Sequence, residues 1–152
     1  MKTRILLGLI MAASPALAAD PAAHGTPAQA RAMLEKAVAF YKDKGRDAAL
    51  KAFNDKQAPF AESDLYVFCI GADNTLVADG QFHQFLGQPA AKIQDSKGRP
   101  LDKAFRAAAR KSPMGEVRYQ WLNPVTHLIE PKLAYAARAG TDVCAVGAYD
   151  AR

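Results

Sequence analysis

Apolar residues recur at helical spacing from Ala30 through Met33, Leu34, Ala37 and Val38 to Tyr41. Thr26 stands ahead of this run as an N-cap, Pro27 suits the first helical position, and Gln29 sits where a capping box needs it. Gly45 ends the helix. A shorter helix, about Asp47 to Phe53, carries Leu50 and Phe53 on one side and closes at Asn54-Asp55 and Pro59. Beyond Pro59 the period changes. Asp64–Ile70 is a strand rich in aromatic and β-branched residues, Gly71-Ala72-Asp73-Asn74 supplies a turn with an Asp-Asn tip, and Thr75–Ala78 returns as the second arm of a hairpin. Residues 80–100 are irregular, punctuated by Gly80, Gly87, Pro89, Gly98 and Pro100. Leu101–Lys111 reads as an amphipathic helix with Phe105 inward. Three strands follow, Glu116–Leu122, Ile129–Ala137 and Val143–Tyr149, with turns at Asn123-Pro124 and Ala139-Gly140.

This order predicts an α+β domain with a five-stranded antiparallel sheet. The long first helix covers one face. The central loop and its helix cover the other and leave a pocket.

The first residues have a different pattern. Lys2 and Arg4 precede an apolar run from Ile5 to Ala13, and Pro15 and Ala16-Leu17-Ala18 follow. Basic, apolar and small residues in that order predict a signal peptide over 1–18. A flexible leader over 19–25 and one domain over 26–152 complete the expected organisation. The alternatives for the first segment are an uncleaved anchor or a buried helix. The run is shorter than the roughly 20 residues that span a bilayer, no Cys follows it as a lipid acceptor, and no later stretch is apolar enough to cross a membrane. The expected location is therefore periplasmic or secreted.

Charge adds little. Without Lys2 and Arg4, 18 basic residues stand against 15 acidic ones, a net charge of +3. The basic residues are scattered, so a nucleic-acid partner has no support. Cys69 and Cys144 each lie in a strand-like apolar run. In an exported chain they are expected to form one disulfide, with two separate buried thiols as the alternative. The bond finds a natural place if the first and last strands are neighbours in mid-sheet. No CxxC motif is present.

Catalytic patterns are scarce. His24, His83 and His127 show no metal-ligand spacing, with His24 in the leader and the other two read as solvated loop residues. No G-x-S-x-G, H-E-x-x-H or P-loop pattern occurs. The sequence calls for no enzyme activity, no cofactor and no metal. The strongest local cluster is Tyr119-Gln120-Trp121-Leu122-Asn123-Pro124. Alternation puts Val117, Tyr119 and Trp121 on one face, and Tyr and Trp join apolar area to a hydrogen-bond donor, which suits a small-ligand pocket as well as an ordinary core. Lys132 interrupts an apolar strand. It stands either at a ligand carboxylate or as an exposed edge-strand lysine. Tyr135, three residues on, belongs to the opposite face from Lys132 unless a bulge intervenes.

The stretch from Asp64 to Tyr149 resembles the single Cache domains of bacterial extracellular sensing. The resemblance rests on Asp64-Leu65-Tyr66-Val67-Phe68, Leu86-Gly87, Asp95-Ser96-Lys97-Gly98 and Gly115-Glu116-Val117-Arg118-Tyr119-Gln120-Trp121. It continues through Asn123-Pro124-Val125-Thr126, Glu130-Pro131-Lys132-Leu133-Ala134-Tyr135 and Val146-Gly147-Ala148-Tyr149. It implies a PAS-like sheet backed by the N-terminal helix, with a pocket for small organic ligands, often carboxylates, on the other side. Tyr119, Trp121, Lys132, Tyr135 and Asp79 are the ligand-binding candidates it leaves. Two departures stand out. Ala78-Asp79 replaces an Ala-His, and Phe82-His83-Gln84 replaces an Asn-Pro. An acid at Asp79 disfavours a carboxylate there and favours an amine or zwitterion. The implied function is an exported small-molecule-binding sensor domain for a small organic acid or related metabolite. A membrane sensor or chemoreceptor is its expected partner. The rival reading is an interaction or structural module that binds no ligand.

Overall fold

A computed structural model describes residues 24–56, 58–111 and 113–149. The expected signal peptide and residues 19–23 of the expected leader lie outside the described residues.

Helix α1, Pro27–Lys44, begins with the capping box as expected: the Thr26 hydroxyl accepts from the Gln29 amide, and the Gln29 side chain accepts from the Thr26 amide. Its buried stripe is Ala30, Met33, Leu34, Ala37 and Tyr41. Gly45 ends it, and α2, Arg46–Asn54, follows at once, burying Ala49 and Phe53.

The strands are β1 (Ala61–Glu62), β2 (Leu65–Ile70), β3 (Leu76–Asp79), β4 (Gly115–Leu122), β5 (Ile129–Ala139) and β6 (Asp142–Tyr149). They form an antiparallel sheet with the order β1-β2-β6-β5-β4. β3 also pairs with β2, alongside its second half, while β1 pairs with its first two residues. The sheet is therefore the five expected strands plus the two-residue β1, which is too short to show a period. Helix α3, Asp102–Ala108, is shorter than the expected helix, and the chain between β3 and α3 makes two single 3₁₀ turns over His83–Phe85 and Ala90–Lys92.

First and last long strands, β2 and β6, are neighbours in mid-sheet, so all of their residues are buried. Cys69 pairs directly with Cys144 in that register, and the two are joined by a disulfide. Alternation divides the core in two. Val67, Cys69, Cys144, Val146 and Ala137 face α1 and α2. Tyr66, Phe68, Ile70, Tyr119 and Ala134 face the 80–100 loop and α3.

The turn between β5 and β6 is fitted to α1. Gly140 has a φ of +59°, and a Cβ there would stand 2.8 Å from the Tyr41 ring. The Tyr41 hydroxyl donates to the buried Asp142 carboxylate at 3.0 Å, and the Arg46 guanidinium meets the same oxygen at 3.0 Å.

Candidate functional site

Antiparallel pairing places residues that stand directly opposite each other on the same face of a sheet. Tyr119 of β4 pairs with Lys132 of β5, and Lys132 with Tyr149 of β6. The three form a row on the face away from α1. Next in β6, two residues from Tyr149, is Gly147. A Cβ there would come within 2.5 Å of the Lys132 Cε, so the missing side chain is the space through which the lysine runs. The Lys132 ammonium lies 3.9 Å from the centroid of the Tyr66 ring and 4.4 Å from that of Tyr149. It donates to the Tyr149 hydroxyl at 3.2 Å, which in turn donates to the Leu122 carbonyl at 2.7 Å.

Lys132 is thus 1% exposed and flanked by two strands, not an edge lysine. Burial pulls its pKa down from 10.5 to about 7, against the opposing pull of Asp79 and Asp64. Burial likewise raises the Tyr119 and Tyr66 hydroxyls well above the ordinary tyrosine range.

In front of this face lies a narrow cavity with about 30 Å³ of free space, or about 420 Å³ when the space open to solvent is included. Its wall is largely aromatic: Tyr66 and Phe68 from β2, Tyr119 and Trp121 from β4, Phe105 from α3 and Phe85 from the loop. Phe105 stands edge-on to Phe68 and Tyr119 at centroid distances of 5.0 and 5.5 Å, and Trp121 closes one side against Phe82 and Phe85, each at 6.0 Å. Two carboxylates interrupt the apolar lining, Asp79 at the end of β3 and Asp102 in the first turn of α3. The Asp79 Oδ1 accepts the Gln81 and Phe82 amides at 2.8 and 2.7 Å, the Asx-type turn that ends the strand. Burial raises its pKa, while those two amides, Lys132 and His83 act the other way.

The sequence candidates divide as follows. Tyr119, Trp121 and Asp79 line the cavity. Lys132 lies on the same face but is capped by Tyr66 and does not line it. Tyr135 is corrected: the β5 register runs through against both neighbours without a bulge, so it packs with the α1-side core and does not reach the cavity. His83 and His127 are exposed, as expected of loop residues.

His24 and Gly25, expected in a flexible leader, are instead held by Asp64. The His24 Nδ1 lies 2.7 Å from one carboxylate oxygen, and the Gly25 amide donates to the other at 2.8 Å. The reading from sequence also missed Asp102, whose place in a helix's first turn looks like an ordinary end charge. It missed the pairing of Lys132 with Tyr66 and Tyr149 too, because that depends on strand order.

Comparison with known proteins places the fold. The family model described as Single Cache domain 2 matches residues 33–142. Among solved structures, the fold is shared with a methyl-accepting chemotaxis protein from Vibrio parahaemolyticus RIMD 2210633, with a TM-score of 0.67 and 21% identity over 80% of this chain and 86% of that one. A periplasmic sensor domain of a chemotaxis protein matches with a TM-score of 0.61 and 22% identity, covering 80% of this chain and 88% of that one. A Cache chemosensory domain described for carboxylic acid recognition matches with a TM-score of 0.58 and 17% identity, covering 82% of this chain and 88% of that one. No curated protein matches the chain in sequence.

Proposed function

The chain belongs to the single Cache domain 2 family, and from that membership we propose that it is an exported, sensor-type domain that binds a small organic molecule without changing it. The observation that carries this reading is the aromatic-walled cavity between the sheet and the 80–100 loop, whose lining, apolar with a few polar groups, is that of a small-ligand site. Export is supported by the basic, apolar and small-residue order at the start of the chain and by the disulfide. No helix among the described residues is long and apolar enough to cross a membrane. A signalling output would then pass to a membrane sensor or chemoreceptor.

An organic acid is the ligand that the family resemblance favours. The Cache domain described for carboxylic acid recognition shares the fold, and Lys132 is the group that would meet an acid here. It can do so only if the Tyr66 ring gives way.

Binding to the native state must raise apparent stability. A thermal-shift screen of organic acids, amines and amino acids should therefore give at least one compound class that raises Tm in proportion to the logarithm of its concentration. Trp121→Ala, which opens one wall, should weaken that effect in a protein still folded by circular dichroism. If no class shifts the wild-type Tm, the domain is an interaction module whose cavity is closed in use.

A further inference from the structure

We propose that the cavity is built for a small organic cation, a protonated amine with an apolar body, received by Asp102 and Asp79 among the aromatic walls. The inference rests on the ligand-binding reading above and sets a cation in place of the organic acid that the family resemblance favours.

Both charged residues that line the cavity are acids. Asp102 is 6% exposed, and its Oδ2 accepts from the Asn74 side-chain Nδ2 at 3.2 Å. Its Oδ1 is buried and, among the described residues, has no hydrogen-bond partner. A carboxylate oxygen in that position is an acceptor waiting for a donor. The nearest candidate by helical spacing, Arg106 one turn on, is turned away: its Nε donates to the Asn74 side-chain oxygen at 3.0 Å and its Nη2 to the Gly71 carbonyl at 2.7 Å. The β2–β3 turn and α3 are thus tied together by Asn74 and Arg106, while Asp102 lines the cavity.

Asp79 adds a second acid, 5% exposed and fixed in orientation by the two amides that hold its Oδ1. The rings of Phe68, Phe105, Tyr119 and Trp121 complete the environment. Their negative faces attract a cation, most strongly where water is excluded. An ammonium brings N–H donors to the orphan oxygen and charge to both acids, and its carbon body lies against the apolar walls.

A carboxylate would do the reverse. It has no donor for the Asp102 Oδ1 and would meet two like charges. The positive groups nearby do not meet a ligand in the cavity: the Arg106 guanidinium is spent on the Asn74 side chain and the Gly71 carbonyl and is not part of the lining. The Lys132 ammonium is engaged with the Tyr149 hydroxyl and the Tyr66 ring, and His83, which acts electrostatically on Asp79, is an exposed residue outside the lining.

Charge-inverted pairs of similar shape test this on the whole chain: butylamine against butyrate, and phenethylamine against 3-phenylpropionate, by calorimetry and thermal shift at neutral pH. At least one amine should bind and raise Tm while its acid partner does neither. Asp102→Asn keeps the shape and the Asn74 contact but removes the charge, and it should weaken the amine by about tenfold or more. Acids that bind where their amines do not would overturn the cation assignment while leaving a ligand-binding domain. Equal binding of both members of a pair, or an amine affinity unchanged in folded Asp102→Asn, would also overturn it. If neither class binds, the ligand-binding reading falls and this inference falls with it. The wild-type comparison decides the charge preference even if Asp102→Asn does not fold.

Discussion

A lysine with 1% exposure and a tyrosine hydroxyl as its hydrogen-bond partner is an unusual core residue, and its chemistry has a measurable consequence. In the folded protein Lys132 loses its proton near pH 7, in the unfolded chain near its ordinary value of 10.5. Below about 7 both states are protonated, and the cost of burying the charge is present in full. Between the two values the unfolded chain holds a proton that the folded protein does not, so rising pH favours the fold. The buried Tyr66, Tyr119 and Tyr149 act the other way above about pH 10, where unfolded tyrosines ionise and the folded ones keep their protons. The readable window is thus pH 7 to 10, where Lys132 should add stability on the order of 3–4 kcal/mol as pH rises. Lys132→Met should abolish that rise and be the more stable protein at pH 6, as measured by urea unfolding across the pH series. Parallel curves for the two proteins would show that the lysine is solvated after all. The same residue marks how much of the site could be read from sequence. Alternation was enough to put Tyr119 and Trp121 together, because both lie on one strand. It was not enough to seat Lys132, whose surroundings come from Gly147, Tyr149 and Tyr66 on strands that the fold brings alongside.

At the scale of elements, the disulfide ties the two central strands at the register where they pair, with its sulfurs in the α1-side core. It closes a loop with a sequence separation of 75 residues, so reduction restores a large conformational freedom to the unfolded chain. The chain-entropy model puts this at about 4 kcal/mol, and measured bonds of this kind fall mostly at about 2–4. Cys69→Ala/Cys144→Ala, or the reduced wild type, should therefore melt roughly 10 °C lower. Equal Tm values for oxidised and reduced protein would mean that the packing of β2 on β6 alone sets the stability. The elements themselves were mostly legible. The capping box at Thr26, the glycine stop at Gly45 and the change from helical to strand period after Pro59 are local signals, and the structure keeps all of them. What local signals could not supply were β1, with two residues and no period, and the true ends of α3. Helix α3 stops at Ala108, where Gly115 packs so closely that a Cβ would run into the Ala108 backbone.

The whole molecule is closed at one end of the sheet by a buried polar cluster that joins three distant parts of the chain. Asp64 is fully buried just before β2. It accepts the Gly25 amide ahead of α1, faces the His24 ring, and accepts the Asn123 side-chain amide from the end of β4 at 3.2 Å. Asn123 also donates to Glu130 at 2.8 Å and accepts the Val125 amide at 2.8 Å, so the same residue shapes the β4–β5 turn. Each of these groups depends on the others, because a buried polar atom that loses its partner costs more than the bond was worth. Asp64→Ala leaves the Gly25 amide without its acceptor and takes one from Asn123, and it should cost about 3 kcal/mol. His24→Ala removes a partner that is partly exposed and should cost about 1 kcal/mol. The cluster acts as a unit only if these costs fail to add: the double variant His24→Ala/Asp64→Ala should lose less than the sum of the single ones by at least about 0.5 kcal/mol. Additive losses in a urea-unfolding cycle would show instead that His24 merely lies against the domain, and the segment before α1 would then be no part of its cooperative fold. A positive coupling would mean that the first described residues hold the start of β2 and the β4–β5 turn together. A segment from the N-terminal side of α1 would then be fastened to the end of the sheet where Trp121 and the cavity lie.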